Sequence, residues 1–77
     1  MKKHNFPIVD CMATGNNIKN LREKSGISVK GLQNIFGFST PQAIYKWQYG
    51  MSIPTVDNLI ILSTIFKVSI DDIIVKC

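Results

Sequence analysis

Apolar residues recur at helical spacing in five stretches of this chain, each bounded by residue types that start or stop a helix. Residues 1–13 come first and show no such period. Phe6-Pro7-Ile8-Val9 reads as extended there, because the residue before a proline is driven out of the helical region. We expect an N-terminal extended or flexible arm over residues 1–13 and one helical domain over residues 14–77. Thr14 is placed to cap the first helix, Ile18 and Leu21 share one of its faces, and Gly26 stops it. Ser28 is placed to cap a second helix, Val29 to Phe36, with Leu32, Ile35 and Phe36 as its buried stripe and Gly37 as its stop. Thr40 as cap and Pro41 as first helical residue open a third, running to Tyr49, with Gly50 after it. Thr55 caps a fourth, in which Leu59, Leu62, Ser63 and Phe66 lie on one side. Ser69 and Asp72 form a capping-box pair opening a short fifth helix through Val75. Five short helices with brief links predict an all-α, five-helix orthogonal bundle.

The third helix has two opposed faces. At about 100° per residue, Gln42, Tyr45, Lys46 and Tyr49 fall within an arc of about 100°, with Ile44 and Trp47 nearly opposite. Ile44 and Trp47 are therefore core positions. A polar stripe on a helix is ordinarily a solvated face, yet two tyrosines on so short a helix exceed what solvation needs. Gln can bond adenine in a bidentate way, Lys reaches guanine or phosphate, and Tyr hydroxyls contact phosphate.

Composition narrows the reading. The chain has 77 residues, 45% of them hydrophobic, which is one domain and not a disordered tail. It is small for an enzyme with a walled pocket. No nucleophile–base pair or phosphate loop stands out, so we expect no catalytic residues. Leu59-Ile60-Ile61-Leu62 is the longest apolar run, far short of the roughly 20 residues that span a membrane. We expect a cytoplasmic protein. Cys11 and Cys77 lie at opposite ends and His4 is the one histidine, so neither a disulfide framework nor a metal site is expected, and no cofactor. The net charge is +4, unevenly placed. Over residues 1–50, Lys2, Lys3, Lys19, Arg22, Lys24, Lys30 and Lys46 against Asp10 and Glu23 leave +5. Over residues 51–77, Lys67 and Lys76 against Asp57, Asp71 and Asp72 leave −1. The first two thirds suit a polyanion.

The layout Ile18-x-x-Leu21-Arg22-x-x-x-Gly26-Ile27-Ser28, then Leu32-x-x-x-Phe36-Gly37-Phe38-Ser39, Ile44-x-x-Trp47-x-x-Gly50, Pro54-x-x-x-x-Leu59-x-x-Leu62 and Val68-Ser69-Ile70-Asp71-Asp72-Ile73 resembles the lambda-repressor-like (XRE/Cro type) helix-turn-helix domains. The resemblance spans about residues 14–75. It implies that the second helix supports the third in the DNA major groove, with Leu32, Gly37, Ile44 and Trp47 as the structural core of the motif. It implies a sequence-specific transcriptional regulator, a bacterial or phage repressor, binding double-stranded DNA as a homodimer. The base contacts would be Gln42, Tyr45, Lys46 and Tyr49, and the phosphate contacts Lys19, Lys24, Lys30 and Thr40. The family often has Gln at the first position of the second helix, where this chain has Val29. A small residue often stands where this chain has Gln33. The family often pairs an arginine at Arg22 with a Glu after the Trp; Gln48 in that place leaves a neutral hydrogen bond.

One copy offers three or four reading side chains at roughly 1–3 kcal/mol per good bidentate pair, against about 4–10 kcal/mol of discrimination usually needed. Two copies reach it. A patch of Ile61, Ile65, Ile73, Ile74 and Val75 is the candidate self-contact; burial of Ile61 and Ile65 beneath the N-terminal arm is the other reading. The competing function is a protein-interaction module or antitoxin-type adaptor that keeps the fold and docks a protein.

Overall fold

The computed structural model describes residues 8–77, in which five helices follow one another: α1 (Cys11–Lys24), α2 (Val29–Phe36), α3 (Gln42–Gln48), α4 (Val56–Phe66) and α5 (Ile70–Ile73). No strand occurs among the described residues, only an isolated antiparallel bridge between Val9 and Lys76. The arm residues Lys2, Lys3 and Phe6, and His4, lie outside the described residues.

The caps fall mostly where short polar residues precede apolar runs. Ser28 accepts from the Gly31 amide at 2.9 Å, and Thr55 from the Asn58 amide at 3.3 Å. Ser69 and Asp72 bond each other's amides at 3.1 and 3.2 Å, the expected capping box. Such caps satisfy amides that the first helical turn leaves without partners. Gly37 closes α2 at φ 72°, a left-handed conformation that a side chain disfavours.

Four boundaries differ from the sequence reading. α1 starts at Cys11, capped by Asp10, whose carboxylate accepts from the Ala13 amide at 3.0 Å. Thr14 is no cap: it is fully buried inside α1, and its hydroxyl accepts from the Val75 amide at 2.9 Å. α3 starts at Gln42, because the Pro41 carbonyl takes the first helical bond, from the Tyr45 amide at 3.1 Å. Thr40 thus stands one residue further out, its hydroxyl 3.4 Å from the Gln42 amide, and Tyr49 is the C-cap. α5 ends at Ile73, since Ile74 turns extended at ψ 128° and leads Val75 and Lys76 toward the N-terminal segment.

The core is Ile18, Leu32, Ile44, Trp47, Leu59, Leu62, Phe66 and Ile73. Burying each such side chain is worth roughly 1.5–3 kcal/mol. Ile35 is not in the α2 stripe: it is 52% exposed, while Gln33 is buried in its stead. The buried side of α2 is centred between Leu32 and Gln33, with Val29 and Phe36 close to that direction, and Ile35 falls on the far side of Leu32. Ile73 is fully buried and so is no part of an exposed patch. Ile65 and Ile74 are partly buried against the core, Val75 is half-buried, and Ile61 is exposed.

Candidate nucleic-acid interface

α3 is seven residues long, so its position depends on packing rather than on helical propensity. Ile44 and Trp47 supply that packing from its inner face. The Trp47 ring meets Phe36 edge-on at 5.4 Å and Phe38 edge-on at 6.0 Å, and the two phenylalanines stack at 5.1 Å. Phe36 ends α2 and Phe38 lies in the turn, so this aromatic cluster locks α2, turn and α3 together. Gln33 adds a polar tie, its side-chain amide donating to the Phe38 carbonyl at 3.1 Å.

With Ile44 and Trp47 inward, the opposite face of α3 is left outward. Gln42, Tyr45, Lys46 and Tyr49 are all exposed. The Tyr45 and Tyr49 rings stack on each other, centroids 6.1 Å apart and planes 16° apart. The stack restricts the rotamers of two large side chains before any partner arrives. A shallow, open depression adjoins this face, lined by Val29, Lys30, Gln33, Ser39, Thr40, Pro41 and Tyr45. Lys30, Thr40 and Tyr45 are brought together there. Lys19 and Lys24 are exposed on α1 and line no part of it. Among the described residues the ion pairs are Arg22–Glu23 at 3.8 Å and Lys76–Asp71 at 3.5 Å, so Lys19, Lys24, Lys30 and Lys46 carry charge unmatched within that set.

Arg22 behaves differently from these lysines. Its Nε donates to Gln48 Oε1 at 2.9 Å and its Nη1 to the Ile27 carbonyl at 2.8 Å, with the side chain only 11% exposed. The bond to Gln48 is the Arg–Gln hydrogen bond expected from the sequence, with a neutral amide as acceptor, and it joins the end of α1 to the end of α3. Gln33, Ser39 and Pro41 are lining residues that the motif reasoning did not select. The signal for Gln33 was its place beside Leu32 on the inner side of α2. Among the described residues no three His, Cys, Asp or Glu side chains gather as a metal site, and Cys11 and Cys77 are free and exposed. No helix among the described residues is long and apolar enough to cross a membrane.

A helix-turn-helix family model matches residues 18–73. The chain belongs to the helix-turn-helix family. That membership makes it one of the non-enzymatic DNA-binding regulators of transcription. Its fold is similar to that in a crystal structure of the DNA-binding domain of BldD, with a TM-score of 0.70 and 18% sequence identity over 84% of this chain and 93% of that one. No curated protein matches the chain. The match takes in α2, the turn and α3 whole, so the outward stripe lies on the second helix of the motif.

Proposed function

We propose that this chain is a sequence-specific repressor that binds double-stranded DNA as a homodimer, with α3 in the major groove. The observation that carries the reading is the division of α3: Ile44 and Trp47 are shut into the core while Gln42, Tyr45, Lys46 and Tyr49 all face out. Gln42 and Lys46 suit base edges, Gln toward adenine and Lys toward guanine. Tyr45 and Tyr49 supply an apolar wall with hydroxyl ends for thymine methyls or phosphate. Lys30 and Thr40, on the depression beside Tyr45, suit one phosphate, and Lys19 and Lys24 suit phosphates further along the backbone. The likeness to the DNA-binding domain of BldD supports the same direction of reading. Dimerisation follows from the discrimination that one α3 falls short of, and Ile61 with Ile60 offers exposed apolar surface on α4 for it. The place of action is then the cytoplasm.

Titration of labelled duplex at several salt concentrations tests this. Affinity should fall steeply with salt, and Lys30→Ala should lower the salt slope by about 1. Gln42→Ala and Lys46→Ala should each relax the preference for the bound sequence at one position. Unchanged affinity and preference in both would remove α3 from the groove. A protein partner captured together with no duplex shift at low salt would replace the reading by an adaptor role.

A further inference from the structure

The two ends of the described chain meet over the first turns of α1. The Ile8 carbonyl accepts from the Cys77 amide and the Val75 carbonyl from the Asp10 amide, both at 2.8 Å. The buried Thr14 hydroxyl accepts from the Val75 amide at 2.9 Å and donates to the Val75 carbonyl at 3.4 Å. Asn17 donates to the carbonyls of Asp72 and Ile73 at 2.7 and 2.9 Å. Together these bonds fix α1 along its axis and about it.

The same stretch of α1 meets the C-terminal end of α3 backbone to backbone. A Cβ added at Gly15 would stand 2.8 Å from the Gln48 carbonyl oxygen and closer still to that of Trp47. A Cβ added at Gly50 would stand 2.8 Å from Met12 Cα and 3.0 Å from Met12 N. Side chains can turn away from such crowding; touching backbones relieve it only by moving a helix. The same end of α3 is gripped from its other side, where the stacked Phe36 and Phe38 meet the Trp47 ring edge-on.

We propose that Gly15 and Gly50 are positioning residues for DNA recognition: they set how deeply α1 seats the Lys46–Tyr49 end of α3, and the Thr14–Val75 clasp holds α1 in the register that seating needs. The inference rests on α3 being the groove helix. A methyl at Gly15 requires a separation of about 1 Å, against a tolerance of about 0.5 Å for a binding constellation. The crowding starts at the Trp47 and Gln48 carbonyls, so preference at base pairs read by Lys46 and Tyr49 falls more than preference at those read by Gln42.

The test compares Gly15→Ala and Thr14→Val with Ile18→Val, a core change in the same helix that makes none of the clasp's hydrogen bonds and removes none of the glycines at the seam. Each is studied well below its melting midpoint, by amide NMR without DNA and by titration of the selected duplex. Gly15→Ala and Thr14→Val should shift the amide resonances of residues 45–50, and through the Trp47 ring those of Phe36 and Phe38, more than those of residues 28–31. Their duplex affinity should fall about tenfold or more. Ile18→Val should lower the midpoint with affinity unchanged. Affinity and α3 resonances in the two variants that follow Ile18→Val would overturn the proposal. If Gly15→Ala does not fold, Thr14→Val, close in shape to the native residue, decides alone. A wild-type chain that binds no duplex removes the DNA reading, and the amide shifts still decide the seating.

Discussion

Arg22 is firmly engaged, with two hydrogen bonds from a side chain that is 11% exposed. Its partner on α3 is the neutral amide of Gln48. A carboxylate there would turn this bond, now charged on the Arg22 side alone, into an ion pair. Gln48→Glu should therefore stabilise the fold by up to about 1 kcal/mol after allowance for its partial exposure. For a domain of this size that corresponds to a rise of about 4–8 °C in melting midpoint. Melts at low and high salt check it, since the gain should shrink as salt rises; an unchanged or lower midpoint at low salt contradicts it. Arg22 and Gln48 were legible as a pair because the motif sets them at matching places on two helices. Thr14 was not legible. Its residue type suits a helix cap, and the partner that actually takes its hydroxyl lies 61 residues away, beyond any local rule.

Helix ends show the same division between local and distant causes. Ser28, Thr55 and Ser69 cap where the sequence places them, because the bonds they make reach only three residues ahead. The start of α1 and the end of α5 shifted because Val75 and Ile8–Asp10 pair with each other, a long-range contact. Ile35 failed as a core residue for a geometric reason: α2 buries the side that faces the turn, which Gln33 helps fill. The outward stripe of α3 was legible in full, since two strongly apolar residues on a seven-residue helix fix which side is inner. The grouping of Lys30 with Thr40 was not, because it depends on how the turn folds back over α2. A contrast between two hydroxyls follows. Ser28→Ala should cost about 1 kcal/mol, as a helix cap does. Thr40→Ala should cost less, because its bond to the Gln42 amide is long at 3.4 Å and sits outside the cap position. Denaturant titrations of both variants check this; equal losses would contradict the placement of α3's start at Gln42.

At the scale of the whole molecule, charge and apolar surface are distributed unequally. Residues 1–50 hold seven of the nine Lys and Arg, and four of those lysines are exposed without an ion pair among the described residues. Residues 51–77 are slightly acidic and carry Val56, Ile60 and Ile61 exposed on α4. The DNA face and the self-contact that we propose are thereby separated along the chain. With Ile73 buried, the proposed self-contact draws on α4's exposed residues rather than on the wider patch expected from sequence. Ile61→Asp should then reduce dimerisation in sedimentation experiments and weaken duplex binding, while the melting midpoint of dilute protein changes little. A variant that associates as the native chain does would remove α4 from the interface.

Selection of bound duplexes from a random pool tests the central claim most directly. If α3 reads the major groove in a two-fold dimer, the selected sequences contain two inverted copies of one short half-site, centred about 34 Å apart or a multiple of that spacing. A pool from which no sequence is enriched, at salt low enough for binding, would contradict sequence recognition by this helix.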